Sequence, residues 1–352
     1  MTNPSAYDFH LNRPGSLIAA LPAVLGFVPE KSLVLVTLEG SEMGCVLRVD
    51  LADGLLDNLD GMAQAAAATG ADAAIVVIVD EAGASCRMCN DDHRRLVDAV
   101  RDALGEYGVA LRHAHVADRV AAGGRWHGVD GSGGGIVEDP MASPLAAAAV
   151  LDGRRLYPSR RELQEVIQVV ALDDPEEATA LSDVISEHVE CVADEPRHDA
   201  DVRADVEHAM AVAANLDDGR PPSDEDMARL AYALTDPEVR DTLYALAVGT
   251  EAAAAESLWV MLSRRLPEPW RVEALVQLAF AAYARCDGPL AGVALEAALR
   301  CNPDHRMAGM LDTALQSGMR PEQIRELAFT GYQLAGRLGL ELPPRMLGRR
   351  AG

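Results

Sequence analysis

The sequence predicts an α/β domain followed by a larger all-α domain, on three observations. Strand-like and helix-like patterns alternate over about the first 130 residues, which implies crossover units on a mixed or mostly parallel sheet. After Pro144 no strand pattern appears, and apolar residues recur only at three- and four-residue spacing. Apolar residues make up 49% of the chain but aromatics only 4%, so the core is built from Ala, Val and Leu, which suits close helix packing. The expected boundaries are 1–140 for the α/β domain, 141–342 for the helical domain and 343–352 for a frayed tail.

The elements follow in order. An apolar run to Leu21 and Pro22 opens the chain. Ser32–Leu38 is a continuous apolar run, and Cys45–Leu51 alternates with Cys45, Leu47, Val49 and Leu51 on one face, so both read as strands. Asp53–Thr69 reads as a helix stopped by Gly70. Ala73–Val79 is a strand buried on both faces. Asp91–Tyr107 is a helix that stops at Gly108, Val109–Val116 a further strand and Gly124–Val129 a short one. Gly128–Asp139, glycine-rich and acidic, reads as a surface loop, so the sheet is expected to end before about Val129.

Helical patterns then cover Pro144–Leu151, Ser159–Val169, Pro175–Val192 and Asp199–Leu216. A break near Pro221 and Pro222 precedes Ser223–Leu234, Pro237–Val248, Ala253–Leu266, Trp270–Arg285, Pro289–Cys301, Asp304–Gln316 and Pro321–Leu338. Ser159, Ser223 and Asp236 are suitable N-caps. Within Arg271–Pro303, Leu275, Leu278, Ala279 and Ala282 face Ala291, Leu295 and Ala298, and Pro303 closes the unit, as in one tetratricopeptide-like hairpin. One such repeat does not make a solenoid, so an ordinary helical bundle is expected in preference to a superhelical groove.

Several segments resemble a known family. They are Leu11-Asn12-Arg13-Pro14-Gly15, Leu25-Gly26-Phe27-Val28-Pro29, Gly124-Arg125-Trp126, Pro158-Ser159-Arg160, and the run from Gly288-Pro289 to Asn302-Pro303-Asp304. Together they are similar to the actinobacterial domain of unknown function 4192. The resemblance implies no activity, substrate or cofactor. The family pattern has aromatic residues and clustered cysteines after the tryptophan, where this chain has His127, Gly128 and further glycines, so no metal or thiol role for this loop follows from it.

The formal net charge is −24, which opposes nucleic-acid phosphates and anionic lipid and favours basic partners. Neither nucleic acid nor membrane is therefore an expected partner. Met1–His10 carries Asp8 and lacks a basic, apolar leader, and no apolar stretch is long enough to span a bilayer, so a cytoplasmic protein is expected. The six cysteines are then mostly buried thiols.

Three groups of residues carry candidate chemistry. Cys86 and Cys89 have metal spacing, and His93 follows four residues later; with a fourth ligand from His113 or His115 they would complete a zinc tetrahedron. A redox pair is a second possibility, and two ordinary thiols at a strand-to-helix turn the plainer one. No cofactor is expected, and zinc at Cys86, Cys89 and His93 is the alternative. Gly131–Gly135 offers backbone amides to a phosphate, but Asp130, Glu138 and Asp139 flank it and no P-loop lysine follows, so it reads as a loop. His113, His115 and His127 are isolated candidates for a general base. Arg13, Arg48, Asp50, Arg125 and Trp126 lie at expected strand ends, where they either line a ligand crevice or form buried ion pairs. No nucleophile or paired-carboxylate constellation stands out. The expected function is therefore a regulatory or interaction protein that takes a protein partner through its helices. The alternative is an enzyme or small-ligand sensor with a site at the sheet edge.

Overall fold

In the computed structural model, residues 13–40, 42–52, 54–85, 87–151, 155–170, 175–192, 197–317 and 319–346 are described. The chain divides into two units, Met1–Leu163 with Gln316–Gly318, and Gln164–Leu315 with Met319–Gly352.

The first unit is built on a six-stranded sheet in the order β2-β1-β3-β4-β5-β6. Its strands are β1 (Ser32–Glu39), β2 (Glu42–Asp50), β3 (Ala73–Val79), β4 (Ala110–Ala117), β5 (Arg125–Gly128) and β6 (Gly134–Ile136). Only β3 and β4 pair in parallel, and the sheet is mixed. Helix α2 (Leu59–Ala68) joins β2 to β3, and α3 (Arg87–Glu106) makes the crossover from β3 to β4. Both helices pack Met62, Ala66, Val97, Val100 and Leu104 on the sheet face formed by Leu33, Leu35, Val76, Ile78 and Val116. The opposite-facing Val34, Val36, Ile75 and Val77 are also buried, which is why β1 and β3 are apolar without alternation. Each such valine or isoleucine contributes about 1.5–3 kcal/mol by leaving water.

Two features depart from the sequence expectations. The opening apolar run is helix α1 (Pro14–Leu25), which continues through Pro22 and ends at Gly26, whose φ is 75°. A proline inside a helix removes a hydrogen bond, so the pattern gave no helix signal. Leu17, Ile18, Ala19, Ala20 and Leu21 are all buried, and burial on every side overrides the local penalty. The sheet also does not end before Val129. The expected loop Gly128–Asp139 contains β6, which pairs Gly134–Ile136 with Arg125–His127 and remains exposed. Its glycines carry no strand propensity, so only the pairing with β5 defines it. Gly15 has no room for a β-carbon, because the Ile136 carbonyl oxygen occupies that space; this close approach sets the start of α1 against β6.

Helices α4 (Pro144–Leu151) and α5 (Arg160–Glu165) follow the sheet in the chain, and the second unit contains α6 (Pro175–Val192), α7 (Asp199–Asp217), α8 (Asp224–Ala233), α9 (Pro237–Leu243), α10 (Ala252–Arg265), α11 (Arg271–Ala284), α12 (Gly288–Cys301), α13 (Arg306–Gln316) and α14 (Pro321–Arg337). Ser223 caps α8 through Asp226 N–H, Asp236 caps α9 through Glu238 N–H, and Asp287 caps α12 through Leu290 N–H at 3.1 Å. Helix α11 is the axis of this unit. Every residue from Ala274 to Ala284 is buried, and α10, α12 and α14 all pack on it. The segment Pro343–Met346, expected to fray, is held instead. Thr250 N–H donates to Pro344 O at 2.9 Å, Met346 N–H to Val248 O at 2.9 Å, and the Tyr332 hydroxyl to Pro343 O at 2.8 Å. Arg345 also stacks on the rings of Phe329 and Tyr332. These contacts supply the docking that a terminal segment otherwise lacks. Residues 347–352 lie outside the described residues.

The α11–α12 packing makes a measurable prediction. Ala291 and Leu295 are fully buried, and Glu296 on the same helix is exposed. Chemical denaturation of the full chain is expected to show Leu295→Ala destabilised by about 2–5 kcal/mol through a cavity. Ala291→Leu should lose about 1–3 kcal/mol through overpacking. Glu296→Ala should stay within about 0.5 kcal/mol of the parent. Equal small effects at all three positions would refute this packing register.

Candidate functional site

The carboxyl ends of the parallel pair β3 and β4 point to one end of the sheet, where open α/β sheets place ligands. The turn that follows β3 begins at Asp80, and the loop that follows β4 begins at Asp118. Between them lies a crevice of about 700 Å³, lined by Glu81, Ser85, Arg119, Arg125, Trp126 and His127 among others. Asp118 shapes its rim, because Asp118 accepts from Arg125 N–H at 2.8 Å and pairs with Arg119 at 3.2 Å. The Arg125 side chain has no hydrogen-bond or ion-pair partner among the described residues. Trp126 is half-buried, and its ring meets His115 edge-on with centroids 5.3 Å apart.

Below the turn after β3 sits a buried polar pair. His93, on α3 and 6% exposed, places Nε2 3.1 Å from Asp80 Oδ2. Its Nδ1 is buried without a hydrogen-bond partner. The pair also explains a glycine: a β-carbon on Gly83 would collide with Asp80 Oδ2 and meet His93 Cε1 at 3.1 Å. A carboxylate on one imidazole nitrogen fixes the tautomer and leaves the other nitrogen as a lone-pair donor, the arrangement that bases and metal ligands share. His127 lies on the same face of the sheet. It pairs with Val116, whose side chain packs toward α3, and its Nε2 is 3.4 Å from Asn90 Oδ1. Burial pushes the His127 imidazole below its ordinary value, and the nearby His93 adds to the effect.

The residues singled out from the sequence are distributed as follows. Arg125 and Trp126 line the crevice. Arg13 is exposed at the N-cap of α1 and makes no side-chain cap bond. It stands two residues before Gly15, whose β-carbon position is 3.4 Å from Trp126 Nε1. Arg48 and Asp50 lie apart on β2, the far edge of the sheet. Arg48 pairs with Asp50, donates to Ser32 Oγ at 2.9 Å and stacks over the Phe27 ring at 5.7 Å. These two line a separate cleft with Arg160. The proposed zinc ligand Cys86 lies outside the described residues, and of the neighbouring Cys89 only its place in α3 is described. Among the described residues, no group of three or more His, Cys, Asp or Glu side chains is placed to hold a metal ion. His113 and His115, expected as a fourth ligand, alternate with Ala114 and Val116 and so point to the sheet face opposite α3. His127 is the histidine that shares a face with His93. The sequence held a faint signal for Asp80, an acid directly after a buried strand and before a glycine turn. It held none for its partnership with His93, thirteen residues on.

The buried histidines predict a pH dependence. Burial, reinforced by the His113 charge, pushes His115 down to about 4, from an ordinary value of 6.5. His127 and His208 are shifted in the same direction, chiefly by burial. A lowered folded value means that the unfolded chain binds the proton first. The stabilisation is thus complete above pH 6.5 and is lost as the pH falls towards 4. Unfolding free energy measured across this range is expected to fall with acidification, and less steeply in His115→Phe. Parallel profiles for the two proteins would show that His115 does not contribute.

A family model described as Domain of unknown function (DUF4192) matches residues 14–322, most of the chain. No curated protein and no solved structure matches the chain significantly. The matched span takes in α1, the whole sheet with its crevice, and the helices as far as the first turn of α14, and on that span the chain belongs to the DUF4192 family.

Proposed function

We propose that the α/β unit binds a small anionic organic ligand in the crevice at the carboxyl ends of β3 and β4. The observation that carries this is that Arg125, whose guanidinium has no partner among the described residues, lines a crevice of about 700 Å³ together with Trp126 and His127. A guanidinium recognises carboxylate or phosphate in a fork, and an aromatic ring adds a stacking surface for a planar group. That volume falls within the range of small-molecule sites. His127 and the Asp80–His93 pair supply proton donors and acceptors nearby, so a sensor and an enzyme are both served by this geometry. We also propose a cytoplasmic location, which the free thiols of Cys45, Cys191 and Cys301 favour.

A second reading is a protein partner taken by the helical unit, with α11–α12 as a tetratricopeptide-like hairpin. The exposed Met310, Leu327 and Phe329 on α13 and α14 favour it. The burial of α11 weighs against an open groove along that hairpin, so the crevice is the better-supported site.

The test is a thermal-shift screen of the full chain with planar carboxylates, nucleotides and neutral analogues. A ligand at 100 times its dissociation constant should add about 2.7 kcal/mol of stability. The expected result is stabilisation by one anionic class, lost in Arg125→Ala and in Trp126→Ala. If no anionic compound shifts the transition, or if both variants keep the shift, the crevice is not the site.

A further inference from the structure

A second cavity lies at the other side of β4. Strand β5 pairs only with His115–Ala117, so the first half of β4 is left as an edge. Helix α3 overhangs this edge, and the Val129–Ser132 loop closes its end; Arg94 Nε donates to Val129 O at 3.2 Å and ties the loop to the helix. The cavity holds about 230 Å³ and is lined by Arg94, Arg101, Arg112, His113, His115 and Ser132, among others. Three arginines around so small a space are unexpected in a chain of net charge −24.

The polar groups here are incompletely matched. His115 is 7% exposed, and its Nδ1 is buried without a hydrogen-bond partner. Each arginine has an acidic neighbour: Arg94 pairs with Asp91 at 3.0 Å, Arg101 with Asp98, and Arg112 with Asp72 at 3.6 Å. All six side chains are half-exposed or more, and ion pairs of that kind contribute little. An oxyanion that receives guanidinium forks in a partly dry cavity forms stronger, charge-assisted bonds and can displace them. Two carboxylates line the cavity as well. Asp98 is engaged by Arg101, and Asp130 accepts from Ser132 N–H at 2.8 Å.

We propose that this cavity binds a phosphate group, held by Arg94, Arg101 and Arg112 at the open edge of β4. The space falls short of a drug-sized site, so the cavity takes inorganic phosphate or the terminal phosphate of a metabolite whose remainder stays outside. This site is separate from the crevice at Arg125 and Trp126.

The test is calorimetric titration of the full chain at low ionic strength, with inorganic phosphate in one arm and glycerol 3-phosphate in the other. Saturable one-to-one binding in either arm is expected, and the stronger arm identifies the source. Arg101→Gln and Arg112→Gln, both at half-exposed positions, should each weaken binding about tenfold, the scale of one lost charge-assisted bond. Arg125→Gln should leave it unchanged. The His115 Cε1–H resonance should shift on addition of phosphate, and this readout remains valid if substitution of His115 itself disturbs folding. Absence of saturable binding in both arms overturns the proposal. So does binding that survives Arg101→Gln and Arg112→Gln, or that is lost in Arg125→Gln alone.

Discussion

The α/β unit depends on the burial of both faces of β1 and β3. These strands pair from Ser32 with Val79 to Leu38 with Ala73, and neither carries a residue on either face, over that span, that meets water. A shift of one residue would exchange one apolar face for the other, so the register of this pair is held by the fit of its side chains to what is packed on each face and not by polarity. Its position therefore determines where everything else can go. Helices α2 and α3 cover one face, and polar residues are pushed to the strand ends, to β5 and to the outer edge of β4. Asp80 is the first residue after β3 that is not fully buried, and it meets His93 there.

The same constraint explains why two cavities flank β4. Beyond β4 the sheet no longer has long apolar strands. β5 has four residues and β6 three, and together they cover only the carboxyl end of β4. Where they pair, the strand ends and loops enclose the crevice around Arg125 and Trp126. Where they stop, the edge of β4 faces α3 across a gap lined by arginines. Trp126 and His115 touch each other at the junction, so one aromatic contact borders both spaces. Among the described side chains of this unit, His93 Nδ1, His115 Nδ1 and Ser143 Oγ are buried without a hydrogen-bond partner, and neither histidine belongs to the apolar layer.

In the helical unit α11 takes the place of the central strands. Its alanines at positions 274, 279, 281, 282 and 284 let neighbouring helices approach closely on every side, with the tilted rings of Phe280 and Tyr244, 4.4 Å between centroids, as a larger contact. A helix buried all round has no free face to offer. Several polar groups pair around it, as when Arg285 joins Glu256 and Asp287, and Gln277 donates to Arg240 O at 2.9 Å, while the Tyr244 hydroxyl is buried without a hydrogen-bond partner.

Local sequence alone determined the strands Ser32–Leu38 and Ala73–Val79, most of the helix boundaries and the caps at Ser223 and Asp236. In each case neighbouring residues along the chain supply the apolar period or the capping oxygen. Arg125 and Trp126 were legible in the same way, as charged and aromatic residues at a strand end. Tertiary structure decided the rest. Pro22 lies inside a helix because burial outweighs its local penalty, and β6 exists only because β5 offers it a partner. The pairing of Asp80 with His93 depends on where α3 settles on the sheet. The position of His115 on the face opposite α3 depends on the pleat of β4 and on an irregularity in its register between Ala74 and Ile75. Each of these is a contact between segments distant in the chain or between opposite sides of a sheet. Local composition does not encode such contacts, because their free energy arises only when the surfaces meet.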